Sequence, residues 1–209
     1  MGICRKCSAL LILVALAALI SIKLWQPEEA VGVNEAPLIR TYQISEGDFS
    51  LFLDIGILDS FEKLSKASHT VVQGRVIEKR AESRNLTRDP EGGLAMSQEY
   101  VFEVEEWVIG KGDPYINIVY SDYYVRDDKR LPSYHRPLEV GEIYVLFLWQ
   151  YGEDTAFCGV EGMYTGVAEP WQFKLIDGEL IAVSSFEDIP TMFPRLTPAT
   201  LTKQVGQYR

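Results

Sequence analysis

The pattern of apolar and polar positions along the chain predicts a domain built mainly from short β-strands. In Ser97–Ile109 apolar and acidic side chains alternate, which is typical of a strand with one buried face. Trp107 falls on the acidic face unless Glu105 and Glu106 form a β-bulge, so we expect a bulge there. Glu142–Tyr151 is almost continuously apolar and therefore predicts a central strand that is buried on both faces.

Further strands and two helices follow from local signals. Asp177–Gly178 predicts a two-residue type I′ hairpin, and Gly74 indicates a bend or a bulge. Asp59 as N-cap predicts a helix over Ser60–Ala67, and Thr197 followed by Pro198 predicts a C-terminal helix. The remaining strands are predicted at His69–Lys79, Tyr115–Val119, Phe157–Val160, Trp171–Ile176 and Glu179–Val183, and long polar loops at Arg80–Ser97 and Ser121–Val140.

The fold class that these elements predict is mainly β (α+β). Five to seven short strands, with one short helix before them and one after, suit a small barrel or a sandwich. Because the strands differ in length and two loops are long, we expect a partly open, five-stranded, OB-like antiparallel β-barrel.

The N-terminal segment predicts a membrane anchor. An uncharged run from Cys7 to Ile22 follows Arg5 and Lys6 and ends at Lys23 and Trp25, and a small-residue cleavage signal does not follow the run. We therefore expect an uncleaved single-pass helix with a cytoplasmic N-terminus and an extracytoplasmic domain. The alternative is a cleaved signal peptide and a secreted protein.

The predicted organisation has three parts. Residues 1–25 are a transmembrane signal anchor, and residues 26–57, rich in Pro, Glu, Gly and Asn in their first half, form a linker leading into the domain. Residues 58–209 form the extracytoplasmic OB-like β domain with its C-terminal helix.

Four stretches together carry a resemblance to a protein group. They are Leu64–Val76 (LSKASHTVVQGRV), Tyr100–Gly112 (YVFEVEEWVIGKG), Leu138–Leu148 (LEVGEIYVLFL) and Phe173–Leu180 (FKLIDGEL). The chain resembles uncharacterised exported bacterial proteins whose domain is similar to the OB-like barrel of netrin-type and metalloproteinase-inhibitor modules. The resemblance implies a fold and no chemistry. The inhibitor mechanism is not implied, since it needs an N-terminal cysteine and disulfides, whereas Cys158 is the only cysteine of the domain.

Charge and motifs exclude several functions. The formal net charge of −10 over 209 residues opposes binding to a phosphate backbone, so we expect no nucleic-acid partner. Catalytic, nucleotide-binding and metal-binding motifs are absent from the sequence, and only His69 and His135 could supply an imidazole. We therefore predict no catalytic site, no cofactor and no metal ion.

One group of side chains indicates recognition. Tyr and Arg are enriched in binding patches, and the predicted loop 121–140 carries Tyr123, Tyr124, Tyr134, His135 and Arg136. They predict a membrane-anchored extracytoplasmic interaction module that binds an envelope or surface protein. In the alternative interpretation these tyrosines pack on the barrel.

Two other function classes remain open: an enzyme with an unrecognised active site and a purely structural envelope protein. A cleft lined by titratable groups would favour the enzyme, whereas a flat aromatic loop patch would favour the interaction module.

Overall fold

The computed structural model describes residues 37–46, 49–83, 95–126, 129–152 and 161–208, and they form a mainly β structure with short helices. The strands are β1 (Leu38–Glu46), β2 (Phe49–Ile57), β3 (Thr70–Lys79), β4 (Ala95–Ile109), β5 (Tyr115–Arg126), β6 (Lys129–Pro132), β7 (Ile143–Gln150), β8 (Tyr164–Gly166), β9 (Gln172–Ile176) and β10 (Glu179–Val183). The helices are α1 (Phe61–Ala67), α2 (Ile189–Met192) and α3 (Pro198–Val205), and a 3₁₀ turn (Gly206–Tyr208) follows α3.

Five strands close into a barrel. β3 pairs with β4 and β7, β4 pairs with β5, and β8 joins β5 to β7, which completes the ring. Every pairing is antiparallel except β5 with β8, where Ile118 lies opposite Tyr164 in parallel. The barrel is therefore mixed, which corrects the expectation of an all-antiparallel one, and its strand order is consistent with an OB-like fold.

The expected bulge in β4 is confirmed. Gln73 of β3 lies opposite Glu106, and Gly74 lies opposite Val104, so Glu105 is the extra residue. Gly74 is needed at this crossing, because a Cβ atom there would lie 2.0 Å from the carbonyl oxygen of Glu103.

The predicted central strand is β7, and it lies in the core of the domain. β7 lies between β3 and β9, and Tyr144, Leu146 and Leu148 are at most 1% exposed. They pack with Phe102 inside the barrel, and Val104 contacts the same cluster. The opposite face of β7 packs Val145 and Phe147 against α1, β9 and α3, so both faces of this strand are buried as predicted.

The predicted N-cap of the C-terminal helix is confirmed, whereas the N-cap of the first helix lies one residue later than predicted. Thr197 accepts a hydrogen bond from the backbone N–H of Thr200 at the start of α3. In α1 the N-cap is Ser60, whose hydroxyl accepts from the N–H of Lys63 at 3.3 Å. Asp59, the predicted cap, instead pairs with the ammonium group of Lys63 at 3.1 Å.

Two pairs of strands occupy regions where the sequence predicts linker or loop. β1 and β2 pair in an antiparallel arrangement, and Ile44, Ile55 and Ile57 of these two strands are buried. β5 runs on to Arg126 and pairs with β6, so the first part of the predicted loop 121–140 contains paired strands as well. Composition suggested loops in both places, but alternate apolar residues reach the core and stabilise strands.

The described residues contain no helix that is long and apolar enough to span a membrane. The predicted anchor at 1–25 and the predicted strand Phe157–Val160 lie outside the described residues, as does most of the predicted loop Arg80–Ser97.

Candidate functional site

A cavity of about 220 Å³ opens on one side of the barrel. Its walls come from five parts of the chain: β2, β5, the segment after β6, the residue that follows β7, and the segment from β8 to β9. Its described lining residues include six aromatic or imidazole rings, two carboxylates and neither Lys nor Arg. The rings belong to Tyr120, Tyr124, Tyr134, His135, Tyr151 and Trp171, and the carboxylates to Asp54 and Glu169.

Glu169 is held in the wall by its backbone. Its N–H donates to the carbonyl of Gly56 at 3.0 Å, and its carbonyl accepts from the N–H of Leu58 at 2.9 Å. These bonds fix the segment against the end of β2. The backbone that carries the carboxylate is therefore fixed by the fold.

The carboxylate of Glu169 is buried without hydrogen bonds. The residue is 1% exposed, and neither carboxylate oxygen accepts a hydrogen bond from any described residue. A buried carboxylate that lacks donors carries a large desolvation penalty. Such groups are rare in native proteins, and each calls for an explanation, such as a functional role or an ordered water or ion.

His135 is a potential partner of this carboxylate. Its Nδ1 atom lies 3.6 Å from Oε1 of Glu169, close enough for an ion pair if the imidazole is protonated. A hydrogen bond needs 2.7–3.2 Å, and Nδ1 is itself buried without a hydrogen-bond partner. The two groups are therefore close neighbours that do not form a hydrogen bond with each other.

Aromatic rings surround the imidazole. The ring centroid of His135 lies 4.0 Å from that of Tyr134, 5.4 Å from that of Tyr120 and 6.4 Å from that of Trp171. The indole Nε1 of Trp171 is a further buried donor without a partner among the described residues. The Trp171 ring fits only because position 166 is glycine, since a Cβ there would lie 2.2 Å from Cγ of Trp171.

Tyr120 forms a fixed part of the wall. Its hydroxyl lies 2.9 Å from that of Tyr100, and it accepts from the N–H of Leu138 at 3.2 Å. Burial raises the pKa of Tyr120 far above its ordinary value, and the proximity of Tyr100 adds to the shift. The side chain therefore stays a neutral phenol and is unsuited to act as a base.

The five predicted binding residues do not form one patch. Tyr124, Tyr134 and His135 line the cavity, but Tyr124 is only 4% exposed and belongs to a core cluster. Tyr123 points away from them, and its ring lies under the guanidinium of Arg130 at 3.5 Å. Arg136 is exposed, and its backbone carbonyl accepts from the buried side chain of Gln172 at 2.9 Å.

Sequence reasoning missed Glu169, Trp171, Tyr120 and Asp54. A signal existed only for the first two: Glu169 is the one charged residue in the stretch Gly166–Trp171, and it stands before a proline and a tryptophan. Asp54 lies in a region interpreted as linker. Its carboxylate accepts a hydrogen bond from the Thr41 hydroxyl at 2.8 Å, so it is better satisfied than Glu169.

Within the described ranges, no three His, Cys, Asp or Glu side chains are grouped so that they could hold a metal ion. Comparison of the chain with known protein families, with curated proteins and with solved structures found no match.

Proposed function

We propose that the domain is a binding module that holds a hydrogen-bond-donating end group of a ligand or partner protein in the cavity over Glu169. The observation that carries this proposal is the pair of carboxylate oxygens of Glu169, which are buried in the cavity wall without a donor from the described residues. A ligand N–H or O–H would satisfy them and offset their desolvation.

The size of the cavity supports an end group as the occupant. Pockets for whole drug-sized ligands have volumes of about 300–1,000 Å³, whereas this cavity measures about 220 Å³. One functional group of a larger molecule fits this space. We propose an envelope or surface protein as the larger molecule, and display of the module outside the cytoplasm by the N-terminal anchor.

The test uses the thermal midpoint of unfolding of the full-length chain in the presence of small N–H donors: methylurea, methylammonium and methylguanidinium. A compound at ten times its Kd stabilises the folded state by about 1.4 kcal/mol, which raises the midpoint by roughly 3–6 °C for a chain of this size. We expect at least one compound to do so in the wild type and none in Glu169→Gln. Glu106→Gln, an exposed position on β4, is the charge-matched control and should behave like the wild type. The proposal fails if all three compounds leave the wild type unchanged.

One observation favours a second candidate function, an enzyme that uses His135 as a general base. A carboxylate near Nδ1 of a histidine is the arrangement that orients catalytic imidazoles, and the 3.6 Å separation from Glu169 would need to shorten on substrate binding. Hydrolysis of small activated esters by the full-length chain, compared with His135→Gln, tests it. Equal rates for the two proteins exclude this role for His135 in ester hydrolysis.

A further inference from the structure

We propose that the group bound over Glu169 is an organic cation of the guanidinium type, such as the side chain of an arginine or a free guanidinium compound. This inference rests on the proposed function and specifies the chemistry of its ligand. It concerns a site assembled from Glu169, His135, Trp171 and the tyrosines around them.

The charge of the lining favours a cation. Two acidic residues, the exposed Asp54 and the buried Glu169, are among the lining residues, and no Lys or Arg is among those that are described. The whole chain carries a formal charge of −10, so the surrounding field has the same sign. An anionic ligand would bring a third negative charge into this lining, whereas a cation supplies the counter-charge that Glu169 lacks.

The geometry of the unused atoms favours a planar, two-pronged donor. Both oxygens of Glu169 are without a hydrogen bond, and one donor would satisfy only one of them. A guanidinium presents parallel N–H bonds that match the two oxygens of a carboxylate. An ammonium group has its donors on a single nitrogen and loses more hydration on burial.

The aromatic walls favour the same ligand. Tyr134, Tyr120 and Trp171 lie around the site with ring centroids 4.0–6.4 Å from that of His135. Guanidinium groups stack on such rings, and a cation gains electrostatic stabilisation from their faces. The chain itself has such a contact elsewhere, where Arg130 lies 3.5 Å from the centre of the Tyr123 ring.

The experiment compares two compounds of the same shape that differ in charge. Methylguanidinium and methylurea are both planar N–H donors, but only the first is a cation. Each is titrated at millimolar concentration, far below denaturing levels, into the ¹⁵N-labelled full-length chain, and the indole N–H signal of Trp171 is followed by NMR. Trp107, which does not line the cavity, provides the internal control signal, and Trp171→Phe assigns the reporter.

We expect methylguanidinium to shift the Trp171 signal saturably with a Kd of about 1 mM, as suits a ligand of so few atoms. Methylurea should bind at least tenfold more weakly. Equal affinities would overturn the cation inference while leaving the binding module intact. If neither compound shifts the signal, both proposals fail, and solvent satisfies Glu169.

A second arm separates the two sources of the guanidinium group. A Gly-Arg-Gly amide is compared with its citrulline counterpart, in which a neutral urea replaces the guanidinium. Tighter binding of the arginine peptide than of methylguanidinium identifies a partner protein as the source, and weaker binding identifies a small free ligand. Equal binding of the arginine and citrulline peptides would contradict the proposal.

Discussion

At the scale of single residues, Glu169 has both carboxylate oxygens buried without a hydrogen bond from the described residues. Its backbone is fixed by hydrogen bonds to Gly56 and Leu58, and Nδ1 of His135 lies 3.6 Å from Oε1 of the carboxylate. If the carboxylate is kept for a ligand, it lowers the stability of the unliganded protein, as is common where a site serves function.

Replacing this carboxylate by an apolar side chain of similar length should therefore stabilise the protein. We expect Glu169→Met to raise the free energy of unfolding by about 1–3 kcal/mol, because a buried carboxyl group without hydrogen bonds is removed and methionine fills the same space. Urea denaturation of the full-length chain measures this change. A loss of about 3–5 kcal/mol would instead identify Glu169 and His135 as a structural ion pair.

Two glycines that line the cavity provide a matched pair of substitutions. A methyl group at Gly166 would lie 2.2 Å from Cγ of Trp171, whereas at Gly56 its nearest neighbour is Cβ of Pro37 at 3.7 Å. Gly166→Ala should cost about 1–3 kcal/mol of stability as an overpacked site and should move the Trp171 indole signal. Gly56→Ala should stay within about 1 kcal/mol of the wild type, and similar losses in both variants would contradict this packing of Trp171.

At the scale of secondary structure, β7 contributes residues to two core clusters, one on each of its faces. Leu146 is fully buried between β3 and β9, so Leu146→Ala should cost about 2–5 kcal/mol. Glu103→Ala on the outer side of β4 should cost less than about 1 kcal/mol. Chemical denaturation compares the two variants, and a wild-type stability for Leu146→Ala would refute the position of β7.

The elements that the sequence predicts well are those whose own residues determine them. The apolar run of β7, the Asp177–Gly178 turn and the Thr197 cap are local signals, and all three appear in the structure. Both turn residues have the positive φ that a type I′ turn needs, 50° at Asp177 and 84° at Gly178. The β1–β2 pair escaped prediction because its polar residues resemble a linker and its strand character depends on packing against the rest of the domain.

The site could be predicted only in part, for a physical reason. His135 and Tyr134 were identified because they share a segment with other aromatic residues, but Glu169 and Asp54 come from distant segments. Their proximity depends on the contact between the end of β2 and the segment before β9. The pattern of apolar and polar residues within either segment does not predict a contact between two segments so far apart in the sequence.

At the scale of the whole molecule, buried phenols link stability to alkaline pH. Burial raises the pKa values of Tyr100, Tyr120 and Tyr144 above the ordinary tyrosine value of about 10. Above that pH the unfolded chain releases these protons while the folded chain retains them, so the free energy of unfolding should fall as the pH rises.

Each tyrosine contributes a slope of up to about 1.4 kcal/mol per pH unit above pH 10. Denaturation curves between pH 9 and 11.5 measure the total slope of the free energy of unfolding against pH. Tyr120→Phe should make this slope shallower by up to about 1.4 kcal/mol per pH unit. A stability that is constant over this range would contradict the burial of these hydroxyl groups.

The Kd of methylguanidinium, read from the Trp171 indole N–H signal, decides whether the cavity over Glu169 is a binding site. We expect saturable binding to the wild type and to the control Glu106→Gln, and at least tenfold weaker binding to Glu169→Gln. Equal Kd values in all three proteins, or no binding to the wild type, would contradict the proposed binding site.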